Sequence, residues 1–262
     1  MRESFTPTAR IARTLDTKVY LIMIEQPWRR FVLALSFSRL ELCLHYYDHS
    51  GGSISPPFHL QCDLQEFLFI LACVIFGPHS CIGFDDTINI IAQVPVPSLL
   101  SVPSSTTIAS MNHILVASLS PPSTQEICGT IRVKGDVYEV LGILFSSTGF
   151  IGRGTVCYLV RHNSRIYVIK DHWVAGDPSH EANMLLWVQG IKGVPSLVDY
   201  WQVEVVDDVI EKTERYREEH FRSKMKTIRT HVCLVMTPRV RPLMHFTSRK
   251  ELVITIQGIL RS

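Results

Sequence analysis

The 262 residues are 46% hydrophobic and 19% charged, enough apolar side chain for a sizeable core, which excludes a wholly disordered chain. Lys plus Arg total 26 against 24 Asp plus Glu, a net charge of +2, so no basic excess speaks for a nucleic-acid partner. The most apolar run, Phe67–Phe76, is far shorter than the roughly 20 residues a membrane-spanning helix needs.

The first residues carry Arg2, Glu3, Arg10, Arg13 and Asp16 without an apolar stretch between them, so neither a secretory signal nor an acid-poor transit peptide is expected. The 7 cysteines are odd in number and scattered, with no C-x-x-C pair. They read as reduced thiols of a cytoplasmic or nuclear protein. His79-Ser-Cys81 and Cys43-Leu-His45 lack the second ligand pair of a zinc site, so no metal site is expected.

Residues 1–17 read as an N-terminal tail and 18–91 as a small α+β domain. Val19–Ile24 and Phe31–Leu35 are apolar runs of strand length, and Leu40–Tyr46 alternates as a half-buried strand does. Asp48-His-Ser-Gly-Gly52 is a turn cluster, and Ile54–Leu60 resumes an extended stretch. Asp63 and Glu66 have N-cap and N3 spacing. They open a helix with Leu64, Phe67, Leu68, Leu71 and Ile75 on one face. Residues 92–126 read as a linker: from Val94 to Thr124, 16 of 31 residues are Ser, Thr or Pro, which disfavours regular structure. A flexible tether is the first reading and a phosphorylation tract the second.

From Ile127 the pattern returns to strands. Ile131–Val140 holds a hairpin turn at Lys134-Gly135-Asp136, continuing to Phe145. Thr155–Val160 and Arg165–Ile169 make a second hairpin through His162-Asn163-Ser164. Asp177-Pro178 starts a helix ending near Gly190. Leu197–Val206 and His231–Met236 are further strands. The run 207–229, with six acids and seven bases, reads as a solvated helical excursion, with a docking surface as the alternative. Ser248 and Glu251 form a capping box for a helix whose Leu252, Val253, Ile256, Ile259 and Leu260 share a face. That stripe implies a protein partner or a neighbouring lobe covering it.

Gly152-Arg153-Gly154 sits between two strand patterns, and two glycines one residue apart let backbone approach a phosphate. A dinucleotide fingerprint fits poorly: Cys157 stands where its third glycine belongs, and Thr155–Val160 is β-branched and aromatic where a helix is needed. A nucleotide-dependent oxidoreductase is therefore the weakest reading. Downstream, Tyr167-Val-Ile-Lys170 ends a strand in a lysine, and Glu181 lies early in the next helix on the face of Leu185 and Val188. Glycine hairpin, strand lysine and helix glutamate in that order make up the nucleotide-anchoring half of a protein kinase.

The chain resembles the fungal-type protein kinase family from about residue 18 onward. Gln26–Phe31, Ser55–Phe58, Ile151–Arg161, Tyr167–Asp171, His180-Glu181, Gly193–Trp201 and Leu234–Pro238 carry the resemblance. It implies an α+β fold in which residues 127–240 form a kinase-like small lobe, a five-stranded antiparallel sheet with one helix, preceded by the 18–91 domain. It implies ATP as cofactor. Lys170 and Glu181 are the catalytic ion pair, and Gly152, Arg153, Gly154, Thr155 and Val156 the loop over the phosphates, with Leu159 nearby. Met236 gates the adenine pocket, and Thr237 to Arg239 serve as the hinge. No His-Arg-Asp or Asp-Phe-Gly string occurs, so the catalytic base and magnesium ligands of the family are missing from the sequence. The expectation is a kinase truncated before its catalytic loop, with 241–262 as the post-hinge segment and the start of the first large-lobe helix, and with weak ATP binding and no phosphotransfer by itself. The alternative is a pseudokinase-like interaction module.

Overall fold

The computed structural model describes residues 7–91, 126–147, 149–191, 193–206, 208–217, 227–240 and 248–261. Both readings of the 92–126 linker, and residues 241–247 after the hinge, fall outside the described residues, Glu126 excepted.

The fold is mixed α and β, strand-rich, with antiparallel sheets. Helix α1 (Pro7–Glu25) replaces both the expected tail from Pro7 onward and the expected strand at Val19–Ile24. A six-residue apolar run fits strand or helix equally by length. Packing chooses every fourth side chain: Val19 and Met23 are buried with Leu15 against Val32, Tyr47 and Phe150, while Tyr20, Leu21 and Ile22 face solvent.

Strands β1 (Phe31–Ser38), β2 (Glu41–Asp48) and β3 (Gly51–Ile54) form a meander, with β4 (Phe58–His59) also on β2. Helix α2 (Leu64–Phe76) lies where expected, but the Asp63 side chain does not cap it; its Oδ2 instead accepts from the His59 N–H at 2.7 Å. The face of α2 that turns inward holds Phe67, Ile70, Leu71 and Val74, leaving Leu64, Leu68 and Ile75 exposed.

The second sheet has seven strands, not the five expected, in the order β10-β13-β9-β8-β7-β6-β5. These are β5 (Ile88–Ile90), β6 (Gly129–Val133), β7 (Asp136–Ser146), β8 (Val156–His162), β9 (Arg165–Ala175), β10 (Ser196–Gln202) and β13 (Arg229–Thr237). Strand β6 is the first arm of the hairpin expected at Ile131–Val140 and lies beyond the five-strand set. The other added strand, β5, belongs to the upstream stretch and pairs Ile88 with Ile131. Helix α3 (His180–Trp187) follows β9, with Ser179 rather than Asp177 at its N-cap; the Asp177 carboxylate accepts from the Ser179 N–H at 2.9 Å. One face of the sheet is closed by Ile131, Tyr138, Val140, Val156, Tyr158, Val160, Ile169 and Val235, which form the main core.

The charged run after β11 (Glu204–Val206) is not a solvated helix where it is described. It contains the short strand β12 (Val209–Ile210) and turns that sink charge into the junction with the meander. Arg217 holds Asp48 Oδ1 at 2.7 Å and the Gly51 carbonyl at 2.9 Å. Arg30 reaches Glu211 Oε2 at 3.2 Å and the Phe84 carbonyl at 2.9 Å. All four charged side chains are buried, and burial pushes the Asp48 and Glu211 carboxyls above their ordinary range despite their guanidinium partners.

In helix α4 (Arg249–Arg261), the Ser248 hydroxyl accepts from the Glu251 N–H at 3.2 Å, as a capping box requires. Val253 and Ile256 of its expected stripe are exposed and Leu252 is partly covered; the Ile259 and Leu260 side chains lie outside the described residues. No described helix is long and apolar enough to cross a membrane.

Candidate functional site

Strand alternation sorts the residues of β9 between two faces. Lys170 and His172 point to α3; Asp171 and Trp173 point to the opposite face. Register places Cys157 of β8 and Leu234 of β13 on either side of Lys170, and Leu159 and Met236 on either side of Val168. One face therefore carries Cys157, Leu159, Val168, Lys170, Leu234 and Met236.

Helix α3 turns Glu181 to that face, where three basic side chains converge on its carboxylate. Lys170 Nζ donates to Oε1. His172 Nε2 lies 3.3 Å from Oε2, and Arg153 approaches the same oxygen at 3.7 Å from the glycine loop. His172 first, and Lys170 with it, hold the Glu181 carboxyl at about 2, against the burial that would raise it. A carboxylate that stays ionised at neutral pH keeps the lysine ammonium in place. The Cys157 thiol beside Lys170 is pushed up to about 11 by burial, which favours its protonated form at neutral pH.

The glycine loop runs from Gly149 to Thr155. Gly152 has φ +127 and open space at the site of a Cβ; Gly154 has φ +49. The Arg153 carbonyl accepts from the Trp173 N–H at 2.7 Å, which lays the loop along β9. Met236 and Thr237 end β13 and are partly covered, with Arg239 exposed just beyond.

The structure thus brings Lys170, Glu181 and Arg153 together, with Met236 on the same sheet face. It does not bring Val156 there. Val156 pairs with Asp171, so it faces away from Lys170 and is buried in the main core with Tyr158 and Val160. The alternation that runs through Lys170 already implied this reversal. Sequence reasoning missed Val168 and His172, each two residues from Lys170, where period-two spacing was the available signal. It also missed His49, whose contact with the loop no local pattern announces.

A lysine, an arginine and a glycine pair are a donor set suited to phosphate oxygens. Among the described residues, no group of three or more His, Cys, Asp or Glu is arranged to hold a metal ion.

The geometry defines a class before any relative does: an antiparallel sheet whose central lysine is paired to a glutamate on the following helix. The family model for fungal protein kinases matches residues 2–262. The chain belongs to the fungal protein kinase family. Neither the curated proteins nor the solved structures yield a match.

Proposed function

We propose that residues 136–237 are the nucleotide-anchoring lobe of a fungal protein kinase, a family that uses ATP and magnesium. The Lys170–Glu181 pair carries this reading. Strand order supports it: β7-β8-β9-β13-β10 inside the larger sheet makes the five-stranded antiparallel lobe, with α3 between β9 and β10 in the chain. In this lobe Lys170 and the loop backbone at Arg153 and Gly154 hold the phosphates, with Gly152 providing the turn, and Glu181 orients Lys170. Leu159, Val168 and Met236 take the adenine, with Thr237 to Arg239 as its polar edge. Bound ATP would supply the phosphoryl group for transfer to a protein substrate.

These 262 residues contain no His-Arg-Asp or Asp-Phe-Gly string. We expect them alone to bind nucleotide weakly and to transfer no phosphate. For a dissociation constant of about 1 mM, Mg-ATP at about 10 mM stabilises by about 1.4 kcal/mol. That raises the melting temperature by about 3 °C. Lys170→Ala is expected to abolish the shift. A shift of the same size in the variant would show that the nucleotide sits elsewhere.

A second reading, a protein-interaction module, rests on the exposed Val253, Ile254 and Ile256 of α4. Deleting residues 248–262 and following light scattering separates the two. An interaction module changes its oligomeric state or solubility; a nucleotide lobe keeps both and keeps its Mg-ATP shift.

A further inference from the structure

We propose that His49, in the turn between β2 and β3 of the upstream meander, is a positioning residue that sets the glycine loop over Lys170. The loop contacts rest on geometry alone. Their consequence for ligand rests on the nucleotide reading above.

His49 holds the loop at three alternate residues, 150, 152 and 154. Its Nδ1 lies 2.7 Å from the Phe150 carbonyl; a carbonyl only accepts, so the imidazole donates from Nδ1. Its own carbonyl accepts from the Gly152 N–H at 2.9 Å. Its ring fills the space beside Gly154, where a Cβ would fall 2.2 Å from Cε1 and 2.5 Å from Nδ1. Gly154 is thus required by a neighbour more than a hundred residues away as well as by its own positive φ. His49 is 4% exposed and its ring rests on Trp173, with centroids 5.1 Å apart, and Trp173 is the residue whose N–H binds the Arg153 carbonyl. Phe150 is drawn into the cluster of Val19, Met23, Val32 and Tyr47.

The loop is consequently gripped from both sides, by His49 at residues 150, 152 and 154 and by β9 at residue 153. This leaves Arg153 directed at Glu181. A glycine loop on a free hairpin orders itself when phosphate binds; this one is ordered beforehand by the upstream residues, which makes them part of the site. The grip also uses the Gly152 N–H, so that amide is turned to His49 rather than toward Lys170.

The test is amide hydrogen exchange over residues 149–155 in the full chain, for wild type, His49→Ala, His49→Asn and Gly154→Ala. Losing the His49 hydrogen bond is expected to speed exchange in this segment about tenfold. His49→Asn, whose amide reaches the Nδ1 position, is expected to restore most of the protection, which a merely space-filling residue would not predict. Gly154→Ala is expected to loosen the loop in wild type and to add less in the His49→Ala background, where the ring is gone and only the strain of its positive φ remains. Unchanged exchange in His49→Ala, or no rescue by Asn, would overturn the proposal. Nitrogen-15 imidazole shifts of the wild-type chain give a reading free of any folding defect: the Nδ1–H tautomer is expected, and the Nε2–H tautomer would overturn it. With Mg-ATP as probe, His49→Ala is expected to weaken binding about tenfold. Absence of binding by wild type would sink the nucleotide reading, while exchange and tautomer would still decide the role of His49.

Discussion

Arg217→Ala is expected to lower folding stability by about 3–5 kcal/mol, because it strands the Asp48 carboxylate in the junction. Asp48 is 1% exposed and Arg217 6%, so water cannot reach either group to replace its partner. The guanidinium contributes its hydrogen bonds to Oδ1 and Oδ2 of Asp48 and to the Gly51 carbonyl, and it lies 5.4 Å from the Tyr46 ring centroid. Burial already raises the Asp48 carboxyl and pushes the Tyr46 hydroxyl far up. Asp48 is therefore expected to take up a proton in the variant. Pairing Arg217→Met with Asp48→Asn is expected to recover more than half of the loss, since a neutral pair leaves no charge unmatched. Urea unfolding of the two variants measures both figures. A loss below about 1 kcal/mol for Arg217→Ala would place the pair among exposed ones and contradict its burial.

Acidification from pH 6.5 to 4 is expected to lose about 3 kcal/mol of stability through His49 alone. Its folded value lies at about 4 against an ordinary 6.5. Burial is the main cause. His231 and Arg229 of β13 add repulsion, opposed by the carbonyls of Phe150 and Arg29. Between those pH values the unfolded chain binds a proton at His49 and the folded chain does not, so stability falls as pH falls.

His231 has the opposite sign. Burial would lower it, but Asp171 at 2.5 Å, with Asp85 and Glu211 further off, outweighs burial and raises it. Its contribution is fully present below its ordinary 6.5 and is lost as pH rises through the raised folded value. Comparing wild type with His49→Asn by denaturant midpoint at stepped pH isolates the contribution of His49. The variant is expected to show a flatter acid limb; identical limbs would mean that His49 is solvated and the junction open. Glu181, held at about 2, adds its own loss only below about 4.5, where an ordinary glutamate begins to protonate.

Local spacing determined the parts of this protein whose partners are near in the chain. The β6–β7 and β8–β9 hairpins follow from period-two patterns around short turns, and Glu181 follows Lys170 by eleven residues, so strand alternation and helix period together pointed the two at one another. The same order of glycine, lysine and glutamate carried the resemblance to the kinase family. Tertiary structure decided what depends on distant partners. Val19–Ile24 became helical because Val32 and Tyr47 select every fourth side chain of that run. The charged stretch after β11 turned inward because Arg30 and Asp48, more than 160 positions away, supply opposite charges there. Val156 left the candidate site because the register of β8 on β9 places it with Asp171. His49 entered the site across 101 residues. Periodicity within one segment reports which of its side chains share a face. What stands opposite that face, and whether a charge or ring there finds a partner, is settled only when segments far apart in the chain pack together.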